Sequence, residues 1–146
     1  MILKNKKALI IGIASKRSIA ASIAKLFCQN GAEIALTYQN DKLKSRVEEI
    51  GEGLNSTADT LLHPCDLADD DQIKALKSYI KESWGNIDII IHSAAFAPRE
   101  LLSGDFVDNI TRDGFKIAHD ISSYSFTALA KEFREIINEG GSMLTL

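Results

Sequence analysis

Two hydrophobic spacings alternate along the chain and predict an α/β fold. Short apolar runs, typical of buried parallel strands, occur at residues 8–11, 33–38, 60–64, 87–91 and 142–146. The segments between them repeat apolar residues every three or four positions, as on one face of a helix. Strands that alternate with helices of these lengths form a doubly wound parallel sheet. The pattern therefore predicts one Rossmann-like domain over residues 1–146, truncated after its fifth strand.

Helix signals set the expected limits of the segments between the strands. We expect the first helix to end at Gly31 and the second to run from about residue 42 to 52, with Asp41 as its N-cap. A polar turn follows at 51–58. The third helix should end at Trp84, and a long fourth helix should cover 111–137. The loop at 93–109 is long enough to be functional on its length alone.

The loop at residues 12–20 joins the first strand to the first helix. Such a loop points unpaired N–H groups and the positive end of the helix dipole at one place, which suits a phosphate. Gly12 can make the tight turn, and Ala20 is small enough for the helix to pack closely on the strand. Ser18 stands where the usual dinucleotide fingerprint has a second glycine, so its hydroxyl can donate to a pyrophosphate. A strand–loop–helix unit that binds no ligand would show the same sequence pattern.

Ligands of doubly wound sheets bind at the carboxyl ends of the strands, so the residues there are candidates. Gln39 follows the second strand, where it can bond a ribose hydroxyl or simply be a polar surface residue. No arginine stands at this position to bind a 2′-phosphate, which favours NADH slightly over NADPH, although Lys42 is near. Asp66 follows the third strand. Its carboxylate could accept a hydrogen bond from the amino group of an adenine, beside the backbone of Leu67, or it could cap the next helix.

The fourth strand is followed by small residues that let the backbone approach a flat ribose and nicotinamide. His92 ends this strand, and a histidine in that position is more often a structural hydrogen-bonding residue than a catalytic one. Carboxylates cluster at Asp69, Asp70 and Asp71, where they complement a helix dipole. No second cluster completes a ligand set with them, so we expect a solvated cap and no metal site.

Composition excludes several function classes. The net charge is −3 with both signs interspersed, which argues against a nucleic-acid partner. No apolar run reaches membrane-spanning length, and residues 1–4 are too short for a signal peptide. The two cysteines, Cys28 and Cys65, have no metal-binding spacing and fit buried thiols in a reducing cytoplasm.

Four segments carry a family resemblance: 12–20, 37–43, 92–98 and above all 114–126. Together they resemble the bacterial NADH-dependent enoyl-[acyl-carrier-protein] reductases, a divergent branch of the short-chain dehydrogenase/reductases. The resemblance covers all 146 residues and corresponds to the N-terminal part of the family. It implies hydride transfer from NADH to a trans-2-enoyl thioester on acyl carrier protein, in fatty-acid synthesis, by a cytoplasmic homotetramer.

The same resemblance assigns site residues by position. For the cofactor it implies contacts with the pyrophosphate, ribose, adenine and nicotinamide. The residues that would make these contacts are, in chain order, Gly12, Ser18, Ile19, Gln39, Asp66, Leu67, Ser93 and Ala94. For the acyl substrate it implies Ala97 and Leu102. The pair Ala94–Ala95 replaces an Ile–Gly that is common in close relatives, which should narrow the pocket slightly near the nicotinamide.

The family's catalytic tyrosine and lysine lie beyond the fifth strand, so the resemblance implies no catalytic residue up to Leu146. Tyr38 and Lys42 have the broader family's spacing, but they follow the second strand. Tyr124 and Lys131 have the divergent branch's spacing, but they precede strand five, on a helix that packs between subunits in the family. We therefore expect these 146 residues alone to be unable to reduce an enoyl thioester.

Two other functions fit parts of the sequence. One is a short-chain reductase that acts on a carbonyl, and the other is an NADH-binding or assembly module without turnover. Gln39 and the segment 119–122 favour the enoyl reductase.

Overall fold

The computed structural model describes residues 1–54 and 58–146, which form a five-stranded parallel sheet with helices on both faces. The predicted turn at 51–58 falls partly on residues 55–57, outside the described residues. The strands are β1 (Lys7–Ile11), β2 (Glu33–Tyr38), β3 (Leu61–Pro64), β4 (Ile87–His92) and β5 (Ile137–Thr145). Their order in the sheet is β3-β2-β1-β4-β5, and every neighbouring pair is parallel. The predicted doubly wound Rossmann-like fold is confirmed.

Six α-helices connect or follow these strands in the described part of the chain. They are α1 (Ile19–Gln29), α2 (Asp41–Glu52), α3 (Asp70–Trp84), α4 (Phe106–Asn109), α5 (Arg112–His119) and α6 (Ser125–Phe133). A 3₁₀ turn at Arg99–Leu102 precedes α4, and a π-helical turn at Asp120–Tyr124 joins α5 to α6. The last helical region, residues 112–133, therefore contains a π-turn that the hydrophobic periodicity did not predict.

The predicted boundary between the last helix and the last strand is wrong. Helix α6 ends at Phe133, and β5 already begins at Ile137 rather than at residue 142. Ile137 pairs with Ile87 while Ser142 already pairs with Ile89, so the strand bulges between these points. A Cβ on Gly141 would lie 2.5 Å from Ile137 Cγ2, which shows how tightly the bulge folds on itself.

The core has two layers because alternate strand residues point to opposite faces of the sheet. Leu9 and Ile11 pack with residues of α3 and α6, whereas Ala8 and Ile10 pack with residues of α1 and α2. All four side chains are at most 2% exposed. Ala20 of α1 is fully buried in the second layer, as its small size predicted.

Two helix caps test the sequence signals directly. Asn40, not Asp41, caps α2, because its Oδ1 accepts from the Lys42 N–H at 3.1 Å and Asp41 is already the first helical residue. The predicted acidic cap of α3 is confirmed, since Asp69 Oδ1 accepts from the Asp71 N–H at 2.9 Å.

Within the described ranges, no helix combines the length and the apolar character that crossing a membrane requires.

Candidate functional site

A cavity of about 350 Å³ opens at the carboxyl edge of the sheet. Residues that follow four adjacent strands form its walls, and the π-helical turn closes one side. Representative lining residues are Gly12 after β1, Gln39 after β2, Asp66 and Leu67 after β3, Ala94 after β4 and Ile121 of the π-turn. The position matches the rule that open parallel sheets bind ligands where the strand order reverses, here between β1 and β4.

The sheet order gives the cavity two distinct ends. β2 and β3 lie on one side of β1, so Gln39 and Asp66 belong to one end of the cavity. β4 lies on the other side, so Ala94 and Phe96 belong to the opposite end. Gly12 follows the central strand and lies between them. An extended ligand could therefore contact both ends while it crosses β1.

Gly12 brings the ends of β1 and β4 into close approach. Its φ is +102°, and an added Cβ would lie 2.0 Å from the carbonyl oxygen of Ser93. The Ser93 N–H also donates to the Ile11 carbonyl at 2.9 Å. The predicted tight turn is confirmed, and the structure adds a reason that no local pattern could show: the neighbour that excludes a side chain is 81 residues away.

Ser18 and Ile19 lie at the start of α1, outside the lining of the cavity. Ser18 is the N-cap residue by position, but its hydroxyl donates to the Ser15 carbonyl at 2.7 Å instead of capping the helix. The side chain of Ile19 is exposed. The unpaired N–H groups of the first helical turn remain suited to an anion. A pyrophosphate contact by these two residues stays a prediction.

Helix α2 holds the loop before α1 in place. The Arg46 guanidinium donates to the Ala14 carbonyl at 3.0 Å, and Lys16 forms an ion pair with Glu49. Ala14 itself lines the cavity. Sequence reasoning missed these contacts because they join residues more than 30 positions apart, without a local motif.

The β2–β3 end of the cavity combines the residues expected at an adenosine. Gln39 Nε2 donates to Asp66 Oδ2 at 3.4 Å, and the buried side chain of Leu67 lines the wall beside them. Asp66 Oδ1 accepts from the Ala68 N–H at 3.0 Å, so this carboxylate orders the turn before α3. The helix cap is Asp69, which leaves the Asp66 Oδ2 edge facing Gln39.

Cys65 lines the same end and is 3% exposed. Burial, and then the negative charges of Asp66 and Asp69, raise the pKa of its thiol to about 12. The thiol is therefore neutral at physiological pH, in line with the buried cysteine that the sequence predicted.

His92 is fully buried at the end of β4 and bonds to two hydroxyls. Its Nε2 lies 2.7 Å from Ser125 Oγ, and its Nδ1 lies 2.9 Å from Thr145 Oγ1. Because Ser125 donates its own proton to the Ile121 carbonyl at 2.6 Å, His92 Nε2 carries the ring proton and Nδ1 accepts from Thr145. Burial lowers the pKa of His92, which favours the neutral ring. The structural interpretation of this histidine is confirmed.

The predicted substrate residues are not part of the cavity lining. Ala97 is half-buried and Leu102 is 72% exposed, and neither lines the cavity. Leu101, next to Leu102, is the buried residue of the 3₁₀ turn. Phe96, the first residue of the loop predicted as one wall of the acyl pocket, does line the β4 end of the cavity. Substrate contacts by Ala97 and Leu102 stay predictions.

Tyr124 is half-exposed and lies apart from the cavity. No tyrosine or lysine occurs among the described residues that line the cavity. Residues 1–54 and 58–146 also contain no group of three or more acidic, cysteine or histidine side chains placed to hold a metal ion. Besides backbone groups and apolar walls, the described lining offers the Gln39 amide, the Asp66 carboxylate, the hydroxyls of Thr37 and Ser93 and the Cys65 thiol, which suit binding of an extended ligand.

Comparisons with known proteins all give matches to the same kind of protein. Residues 12–146 match a family model described as enoyl-(acyl carrier protein) reductase. The enoyl-[acyl-carrier-protein] reductase [NADH] FabI of Salmonella typhimurium is 49% identical over 144 residues, which cover 99% of this chain and 54% of the relative. The protein of the same name from Escherichia coli is 50% identical with the same coverage. The chain thus spans about half the length of the curated relatives it matches.

Solved structures give the same picture. The crystal structure of enoyl-[acyl-carrier-protein] reductase (NADH) from Aquifex aeolicus superimposes with a TM-score of 0.91 at 44% identity, over 99% of this chain and 61% of that one. The reductase from Anaplasma phagocytophilum, solved in complex with NAD, gives a TM-score of 0.91 at 37% identity, over 99% of this chain and 54% of that one.

Proposed function

Because the chain belongs to the enoyl-(acyl carrier protein) reductase family, we propose that it is the cofactor-binding part of an enzyme of fatty-acid synthesis. The enzyme would transfer hydride from NADH to the trans-2-enoyl thioester of acyl carrier protein. Residues 1–146 would form one NAD-binding domain. The observation that carries the proposal is the cavity across β1, in which Gly12 lets two strand ends meet with no room for a side chain.

The residues around the cavity fit a dinucleotide in a definite direction. Asp66 and the backbone of Leu67 would hold the adenine, and Gln39 would bond the adenosine ribose, since these groups share one end of the cavity. Gly12, Ser18 and Ile19 would face the pyrophosphate at the start of α1. The relatives named for NADH and the solved neighbour in complex with NAD support this assignment.

At the other end, Ser93 and Ala94 would lie against the nicotinamide, because they follow β4 and line the cavity next to Gly12. When bound, the cofactor supplies the hydride. The small side chains there leave the backbone accessible to a flat ring. The loop from Phe96 to Asn109 would form one wall for the acyl chain, with Ala97 and Leu102 facing it.

Reduction of an enoyl thioester also needs a hydrogen-bond donor for the charge that develops on the thioester oxygen. The described lining of the cavity contains no tyrosine or lysine, and Tyr124 lies apart from it. We therefore expect the donor to come from outside these 146 residues, as in the family resemblance.

The test compares two proteins. This chain should bind NADH in a fluorescence titration but should not oxidise NADH with crotonyl thioester, and the complete gene product should do both. Tyr124→Phe in this chain is the control: turnover that this change abolishes would make Tyr124 the catalyst. Reduction of ketones but not of crotonyl thioester by the complete gene product would support a carbonyl reductase. NADH binding without any turnover would support a binding module.

We also propose a cytoplasmic homotetramer. Two free cysteines, Cys28 and Cys65, fit a reducing compartment. The second half of the last helical region keeps Leu129 and Phe133 in the core, while Phe115 in its first half is exposed. An exposed apolar helix face of this kind suits a second copy of the chain.

A further inference from the structure

The hydroxyl of Ser122 binds both backbone polar groups of Phe96. Ser122 Oγ accepts from the Phe96 N–H at 3.0 Å and donates to the Phe96 carbonyl at 3.2 Å. A hydroxyl has one proton to donate and lone pairs to accept with, so the two bonds can form together. Ser122 lies in the π-helical turn, 26 residues after Phe96. One short side chain therefore fixes the backbone of a residue on another segment.

Phe96 lies at the β4 end of the cavity. It lines the wall together with Ala94 and Ala95, and its side chain is 49% exposed. The segment from Ser93 to Phe96 has left the sheet. Its first residue is held by the bond from the Ser93 N–H to the Ile11 carbonyl, and its last residue is held by Ser122.

The turn that carries Ser122 is itself anchored to the sheet. Ser125 Oγ donates to the Ile121 carbonyl and accepts from Nε2 of the buried His92 at the end of β4. Ile121 of the same turn lines the cavity. A π-turn inside a helix interrupts the regular bonding pattern and is frequent at functional sites. Here it directs Ile121 to the cavity wall and Ser122 to the neighbouring loop.

We propose that Ser122 is a positioning residue, which holds the Phe96 backbone and with it the cavity wall where hydride transfer takes place. This role rests on the proposed enoyl reduction. Ser122 acts through the Phe96 backbone and leaves the β2–β3 end of the cavity, with Gln39 and Asp66, untouched. Loss of its hydroxyl should therefore disturb the alignment of the reacting groups and spare the binding of the adenosine half of NADH.

The experiment uses the complete gene product with Ser122→Ala, Ser122→Thr and Ser123→Ala. Ser123 is the next residue of the same π-turn and is exposed, so its variant removes a neighbouring serine hydroxyl from the same segment. We expect Ser122→Ala to lower kcat for crotonyl thioester on the order of tenfold or more, since small misplacements of reacting groups are costly. The dissociation constant of NADH should change by less than about twofold. Ser122→Thr keeps a hydroxyl and should restore most of kcat, and Ser123→Ala should match the wild type.

A second measurement reports on the contact itself. Hydrogen exchange of the Phe96 amide should accelerate in Ser122→Ala and remain slow in Ser123→Ala. An unchanged kcat in Ser122→Ala, or equal losses of kcat and NADH affinity, would overturn the positioning role while the proposed function stands. A wild-type protein that binds NADH but does not reduce crotonyl thioester would overturn the proposed function, and the positioning role with it.

Discussion

At the scale of single residues, Gly12 is the described glycine at which an added Cβ would make the shortest contact. In Gly12→Ala the new Cβ would meet the Ser93 carbonyl at 2.0 Å, at a φ of +102° that alanine rarely adopts. We expect a loss of at least about 3 kcal/mol in the free energy of unfolding, measured by urea titration of this chain.

Gly85→Ala is the matched control for that experiment. Gly85 also has a positive φ, +78°, but an added Cβ would meet no atom within 4 Å. This variant should lose only the backbone strain, about 1 kcal/mol. Equal losses at the two glycines would show that the approach of β1 and β4 relaxes without cost.

Under the proposed function, Gln39 would set the preference between NADH and NADPH. Its neutral amide lies 3.4 Å from Asp66 Oδ2, a carboxylate that would repel a 2′-phosphate. The complete gene product should therefore have a higher kcat/KM with NADH than with NADPH. Gln39→Arg should shift the ratio toward NADPH by on the order of tenfold, because a guanidinium pairs with phosphate. Gln39→Met removes the amide without adding charge and should not favour NADPH. An equal or better kcat/KM with NADPH in the wild type would contradict the assignment.

The Cys65 thiol should be unreactive although it lines the cavity. A pKa of about 12, against 9.0 for an ordinary thiol, leaves about a thousandfold less thiolate at a given pH. We expect iodoacetamide at pH 8 to label the half-buried Cys28 well before Cys65 in the native chain. In urea both should react alike, as mass spectrometry of the two peptides would show. Rapid native labelling of Cys65 would mean that the cavity opens more widely.

At the scale of secondary-structure elements, His92 connects β4 to both α6 and β5. Burial lowers its pKa, so below the unfolded-state value of about 6.5 the unfolded chain binds a proton that the folded chain does not. The free energy of unfolding should therefore fall as the pH decreases from 7 toward 5. His92→Gln should be less stable at pH 7 but should lose this part of the pH dependence.

Local sequence patterns predicted those structural features that depend on interactions between residues close together in the chain. Strand periodicity and the carboxyl-end rule placed Gly12, Gln39 and Asp66 around one cavity, where the structure has them. The end of the last helix was not predictable in this way, because Ile136 and Ile137 continue the helical spacing. Tertiary packing decides there, since Ile136 is buried in the core and Ile137 pairs with β4.

The contacts that hold the candidate site in place could not be predicted from the sequence, for a different reason. Ser122 to Phe96, His92 to Ser125 and Arg46 to Ala14 each join residues 26 to 33 positions apart. Serine and arginine are common surface residues, and no spacing rule marks those that will meet a distant backbone group. Only the chain topology brings these partners together.

At the scale of the whole molecule, the exposed apolar surface is concentrated after β4. Between residues 102 and 124, the large apolar residues that are 45% or more exposed are Leu102, Phe106, Val107, Phe115, Ile117 and Tyr124. Leu129 and Phe133, which lie in α6, are fully buried. The region thus has more apolar surface than docking on the sheet requires, and the excess suits contact with another subunit.

The proposed tetramer can be tested by placing a charge on that surface. In the complete gene product, Ile117→Glu should weaken assembly by on the order of tenfold or more in dissociation constant, because the carboxylate would be desolvated at the interface. Leu26→Glu is the matched control, since Leu26 of α1 is 57% exposed on a different helix. Analytical ultracentrifugation should show the wild type and Leu26→Glu as tetramers and Ile117→Glu as smaller species. A monomeric wild type, or equal effects of the two glutamates, would remove the helix face from the assembly.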